Sequence, residues 1–244
     1  MAFGRKILFA LLLPLSLLAA DGLLSGIPFE ADLLLKKDGF TLGYSFKYRQ
    51  AVWVAYTLSA ENLLAKQVRR KDKFRPDPQV KFQPVHPKDY SRSAYDKGHL
   101  APAADMTYSV GTMVNSFLMT NISPQLPGCN RGIWKRVETQ VRRWAVKEKK
   151  LYVITGPVFP ENPKLMGKAA IPVPEAFYKV ILDLTPPMKM IGFIIPNQTS
   201  KRRIASFAVA VDEVERVTGY DFFSKLDDEL ENPLEETSDF SQWN

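Results

Sequence analysis

Cysteine occurs once in the 244 residues and histidine only twice. A lone thiol, Cys129, cannot close an intramolecular disulfide, so no cross-linked framework holds this fold. It also has no histidine near it in sequence, which argues against a thiol nucleophile. Internal repeats and low-complexity tracts are absent, and with them solenoid and linker-dominated architectures. The apolar run from Ile7 to Leu18 is too short for a comfortable membrane span and contains Pro14. With a basic pair before it (Arg5, Lys6) and Ala19-Ala20 before Asp21 after it, the run has the layout of a secretory signal peptide over residues 1–20. Secretion or a periplasmic location is therefore expected, with no stable membrane association once the leader is removed. An uncleaved membrane anchor is the rival reading.

Acidic residues are scarce except at the C-terminus. The net charge is +7, yet residues 221–244 carry eight carboxylates against the single Lys225, which leaves +12 on residues 21–220. The chain thus reads as one domain over 21–224 followed by an acidic tail over 225–244. So basic a body suits a polyanion such as nucleic acid, although solvated lysines alone also give basic proteins. The acidic tail is either a solvated end or terminal helix, or a competitor for the basic surface.

Aromatic and β-branched residues from Gly43 to Leu58 predict two strands joined near Arg49-Gln50. Further strands are expected at 117–122, 151–155, 177–184 and 190–195, and helices at 131–147 and 205–217, the latter stopped by Gly219. Residues 68–89, basic and proline-rich, read as a long ordered loop. Helices and strands interleave without strict alternation, so the expected fold is α+β, a largely antiparallel central sheet with flanking helices.

Asp96-Lys97-Gly98-His99 concentrates the chemistry. A neutral His99 can take a proton from water near pH 7, Lys97 can hold a phosphate, Gly98 permits a tight bend, and Asp96 can hold a nearby donor. His86, between Val85 and Pro87, reads as a surface residue. In the stretch Thr120 to Glu138, Asn121 ends a strand and Asn130 opens a helix. Asn130 is suited to be either an N-cap or a neutral oxygen ligand for Mg²⁺. Glu138 lies about 12 Å further along the helix axis, so it reaches the same ion only through a water.

Together these segments resemble the DNA/RNA non-specific endonucleases of the ββα-metal type. The resemblance rests on Asp96-Lys97-Gly98-His99, where the family usually has Asp-Arg-Gly-His, and on Asn121-Ile122-Ser123-Pro124-Gln125 with Asn130, Trp134 and Glu138. It is extended by Trp53-Val54-Ala55-Tyr56, Thr155-Gly156-Pro157, Phe177-Tyr178-Lys179-Val180, Ile195-Pro196-Asn197 and Thr218-Gly219-Tyr220-Asp221, and so covers roughly residues 40–223. It implies a ββα-metal motif in the fold and a Mg²⁺-dependent endonuclease, with Mn²⁺ as the alternative ion, cutting DNA and RNA with little sequence preference and leaving 5′-phosphates. His99 would be the general base, Lys97 the phosphate neutraliser, Asn121 a positioning residue, Asn130 the metal ligand and Glu138 the water-linked carboxylate. Arg70, Arg75 and Arg131 are candidates for nucleic-acid contact, with Arg70 and Arg75 competing for the phosphate. Lysine in place of arginine at 97 is a departure, because an ammonium lacks the planar two-pronged grip of a guanidinium.

Two other functions compete. One keeps the fold for a nucleotide pyrophosphatase or phosphodiesterase; the other is a nucleic-acid-binding protein with weakened catalysis, motivated by Lys97. Retention of His99 and Asn130 argues against a pure binder. A homodimer is an expected assembly.

Overall fold

The computed structural model describes residues 31–65 and 67–243. The leader expected at 1–20 lies outside them. Seven strands form one sheet: β1 (Leu33–Lys37), β2 (Phe40–Ser45), β3 (Gln50–Ser59), β6 (Lys150–Val158), β9 (Ala176–Asp183), β10 (Lys189–Pro196) and β11 (Ala208–Val209). They lie in the order β1-β2-β3-β6-β9-β10-β11, and every neighbouring pair is antiparallel. Two small pairs stand apart from it, β4 (Asp96–His99) with β5 (Ile122–Gln125), and β7 (Leu165–Met166) with β8 (Ile171–Pro172). The α+β architecture with an antiparallel central sheet is as expected.

Strands β6, β9 and β10 are apolar on both faces because both faces are covered, so they read as continuous hydrophobic runs and not as alternations. One cluster joins Val54, Val153, Ile181 and Phe193 to Val137, Val141, Trp144 and Ala145 of the helix Lys135–Glu148. The spacing of those four helical residues is that of a single apolar stripe. The other face packs Ile154, Val180 and Leu182 against Val211 and Val214 of a second helix, Val211–Thr218, which Gly219 ends at φ +71°. In chain order the helices are α1 (Ala60–Leu64), α2 (Val110–Ser116), α3 (Lys135–Glu148), α4 (Val211–Thr218) and α5 (Asp228–Glu235).

Several expectations need correction. The helix expected at 131–147 starts at Lys135, because residues Cys129–Trp134 form a wider turn broken at Gly132 (φ −103°, ψ −108°), a conformation open to glycine. The helix expected at 205–217 starts at Val211, preceded by a 3₁₀ turn (Ile204–Phe207) and the short β11. Residues 117–122 are mainly a 3₁₀ turn leading into β5. Of the readings open for the acidic segment 225–244, the described residues form the terminal helix: α5 packs on α4 and β10, and the buried Trp243 meets Trp144 at 4.9 Å between ring centroids.

Candidate active site

β4, β5 and α3, linked by the turn Cys129–Trp134, build a ββα unit on the α3 side of the sheet. In the β4–β5 register Gly98 faces Ser123 and His99 faces Ile122. Gly98 has no substitute here, since a Cβ would run into the Gln125 side chain. Asn121 is fully buried and ties down the segment that follows His99. Its Oδ1 accepts from the Ala101 amide at 2.9 Å, and its Nδ2 donates to the Ala101 and Ser116 carbonyls, each at 2.9 Å. All three of these bonds go to backbone, so the side chain ties the segment after His99 to the end of α2 at Ser116. Trp134 Nε1 donates to the His99 carbonyl at 3.3 Å and joins the start of α3 to β4.

These elements surround a cleft of about 600 Å³ that holds His99, Lys97, Asn130, Glu138, Arg70 and Arg131 from the sequence reading. It adds Asp72, Phe74, Asp96, Lys135 and Arg142. The cleft is therefore predominantly cationic. Arg75 is not among these residues; it lines a neighbouring groove, so of the two competing arginines only Arg70 stands beside His99.

The His99 ring packs edge-on against Phe117 at 5.0 Å and near Phe74 at 5.5 Å. Burial, reinforced by Arg70 and opposed by Asp72, pushes its pKa down to about 3. The imidazole is consequently neutral at physiological pH and keeps a lone pair. Its Nε2 is buried without a hydrogen-bond partner among the described residues, a position that calls for a water or a substrate atom.

Asp96 organises the opposite wall. Its Oδ2 accepts from Asn130 Nδ2 at 2.9 Å, and its two oxygens accept from Arg131 at 2.7 and 2.5 Å. These contacts, with those of Arg131 foremost, hold the Asp96 carboxyl below its ordinary range. They engage the guanidinium of Arg131 as well, whose side chain is 73% exposed at the cleft. With Nδ2 committed to Asp96, Oδ1 is the atom of the Asn130 amide that could serve as a ligand. A hard neutral oxygen fits Mg²⁺, which keeps most of its waters and takes few protein ligands.

From the cleft wall into the core runs a set of charges that the sequence reading did not join: Glu138 and Arg142 line the cleft, and Asp105 and Lys179 are buried behind them. Arg142 Nη1 donates to Asp105 Oδ1 at 2.7 Å, and Tyr56 hydroxyl donates to Asp105 Oδ2 at 3.0 Å. Lys179 is fully buried, its Nζ 4.9 Å from the Trp134 ring centre with no hydrogen-bond partner. Burial drives the Glu138 carboxyl up and the Lys179 ammonium down, and each restrains the other's shift through mutual attraction. Sequence held two signals for this set: Arg142 follows Glu138 by one helical turn, and Lys179 interrupts an apolar strand. Cys129 is buried and its thiol is pushed up to about 12, which makes it inert.

Among the described residues one cluster of carboxylates has ligand atoms within 4.8 Å of one another, Asp212, Glu215 and Glu235. It sits on α4 and α5, across the sheet from the cleft.

A ββα unit that sets a neutral histidine and an asparagine amide in a cationic cleft is the arrangement of a nuclease-type centre acting on phosphodiesters. The profile of the DNA/RNA non-specific endonucleases matches residues 20–229, and the chain belongs to that family. It is 33% identical over 219 residues to a nuclease of Nostoc, covering 84% of this chain and 78% of that one. It is 36% identical over 212 residues to the mitochondrial endonuclease G of Caenorhabditis elegans, covering 78% of this chain and 68% of the relative. A crystal structure of the EndoG/EndoGI complex, described as showing the mechanism of EndoG inhibition, superimposes with a TM-score of 0.77 at 28% identity, over 84% of this chain and 91% of that chain. The protein is thus a hydrolytic nuclease of phosphodiester bonds with nucleic acid as its substrate, and the family is metal-dependent. That membership sets aside the pyrophosphatase and the non-catalytic binder.

The comparisons overturn secretion or a periplasmic location. Besides endonuclease G, the EXOG nucleases of zebrafish, mouse and human and a yeast nuclease are mitochondrial by name. Among the described residues no helix is long and apolar enough to cross a membrane.

Proposed function

We propose that the chain is a Mg²⁺-dependent endonuclease, able to use Mn²⁺, that cuts DNA and RNA with little sequence preference and leaves 5′-phosphates. The observation that carries this reading is the single cleft that gathers neutral His99, Asn130 and an excess of cations. His99 takes the proton of the attacking water, for which its depressed pKa keeps it unprotonated at neutral pH. Lys97, whose ammonium lies 5.2 Å from the Phe74 ring centre, and Arg70 neutralise the scissile phosphate. Asn130 Oδ1 would hold the metal, with Glu138 as its water-linked carboxylate, and the ion would supply stabilisation of the negative charge that develops as the phosphodiester is cut. Asn121 and Asp96 fix the histidine strand and the asparagine amide respectively. Because the cleft cations meet phosphates, which are common to every sequence, little base preference follows.

Plasmid DNA and RNA digestion tests this directly. Cleavage with Mg²⁺ should vanish in EDTA and fall by about 10²- to 10⁴-fold in His99→Ala, while binding of the nucleic acid survives. Products should ligate without prior phosphorylation. Cutting by His99→Ala within tenfold of the parent rate, or 5′-hydroxyl ends, would overturn the assignment.

A further inference from the structure

The strip from Arg69 to Arg75 separates two depressions, and its residues sort between them by parity. Arg70, Asp72 and Phe74 line the catalytic cleft, whereas Arg69, Lys71, Lys73 and Arg75 line a second groove of about 230 Å³ on the other side. No carboxylate lines that groove, and none of its four cations is ion-paired among the described residues. Its floor comes from α2, where Val110 and Val114 are 66% and 39% exposed. The strip is anchored at both ends, with Val68 N–H donating to Thr107 O at 2.7 Å and Arg75 N–H donating to Phe117 O at 3.2 Å. Phe117 is shared by both sides: it lines the groove and packs against His99.

Four uncompensated cations beside an apolar floor complement a chain of phosphates carrying flat, apolar base faces. In a duplex those faces are stacked inside and beyond reach, and a groove this small does not admit a double helix. An unpaired strand exposes both the phosphates and the faces.

Resting on the reading of the neighbouring cleft as the site of phosphodiester cleavage, we propose that this groove is a second subsite, which seats unpaired nucleotides flanking the scissile bond. Lys71 and Lys73 take backbone phosphates, and Val110 and Val114 support a base. The parity of the strip makes it a divider that grips one strand from two sides, with the scissile phosphate at Arg70 and the flank at the odd-numbered cations.

The test compares Lys71→Ser/Lys73→Ser and Val114→Asp with the parent on two substrates, a long single-stranded DNA and a p-nitrophenyl phosphodiester of one nucleotide that fills the cleft alone. The variants should raise KM on the long strand several-fold and leave kcat/KM on the small diester within twofold. In a His99→Ala background, the Lys71→Ser/Lys73→Ser change should reduce the slope of log affinity against log salt for single-stranded DNA by about 1.4, two phosphates at about 0.7 each. An unchanged KM and slope would overturn the subsite. Equal losses on both substrates would also overturn it, by showing that the strip only supports the cleft. An equal loss of affinity for blunt duplex would refute the preference for an unpaired strand. Failure of the cleft reading is recognised separately, by cleavage that persists in His99→Ala.

Discussion

Replacing Lys179 with methionine probes the buried charges that carry Glu138. At and behind the cleft wall two anions, Asp105 and Glu138, face two cations, Arg142 and Lys179, so the set is neutral as a whole. Removing one partner of a buried pair commonly costs about 3–5 kcal/mol, because the other charge is left without compensation. Lys179 makes no hydrogen bond, so part of that figure is not at stake, and a cost of about 2–3 kcal/mol remains. Its sign depends on pH. Burial holds the Glu138 carboxyl above its ordinary range, so the native protein keeps the proton longer than the unfolded chain, and ionising Glu138 as pH rises works against folding. Without Lys179 the carboxyl rises further, and the variant's deficit grows with pH. Near pH 5.5, where Glu138 is protonated, methionine is a close volume match and the deficit should fall below about 1 kcal/mol. Urea unfolding at about pH 5.5 and about pH 7.5, below the value of about 8 to which burial lowers the Lys179 ammonium, measures the difference, and the rise of kcat with pH should move to higher pH in the variant. Equal deficits at the two pH values, or an unmoved kcat profile, would refute the coupling of Lys179 to Glu138.

Two further outcomes follow from the cleft. Asp96→Ala removes the acceptor that orients Asn130, so the Mg²⁺ concentration for half-maximal activity should rise about 10- to 100-fold. Stability should change by only about 1 kcal/mol, since the Arg131 partner is exposed although Asp96 itself is largely covered; an unchanged Mg²⁺ requirement would break the link between Asp96 and the metal. Lys97→Arg restores a planar grip on phosphate between the rings of Phe74 and Tyr90, and cleavage should hold or rise by up to about tenfold, whereas a tenfold loss would show that the site is fitted to an ammonium.

The catalytic strand was legible because its chemistry is contiguous: Asp96, Lys97, Gly98 and His99 are adjacent in the chain, and a short β-strand keeps them together. The long apolar strands were legible for a related reason, since burial on both faces leaves runs such as Tyr152–Ile154 and Val180–Leu182 with no polar interruption. Helix α2 escaped notice because Val110, Gly111, Thr112 and Asn115 carry no helical apolar stripe, although its cap is local, with Ser109 Oγ accepting from the Thr112 amide at 3.1 Å. The edge strand β1 escaped because its burial alternates over only five residues.

The charges that run from the cleft wall into the core were illegible for a deeper reason. Tyr56, Asp105, Glu138, Arg142 and Lys179 come from β3, a 3₁₀ turn, α3 and β9, and nothing in their spacing joins them until the sheet order places β3 and β9 on either side of β6 and α3 crosses that face. A lysine in Phe177-Tyr178-Lys179-Val180-Ile181 is nonetheless anomalous within an apolar strand. Such an ammonium persists only where opposite charge meets it, so a lysine at this place in the strand implies an acidic partner on the element that covers it. Glu138, and after it Asp105, supply that opposite charge without closing on the ammonium, and their attraction couples a residue expected to act through water to a strand across the core.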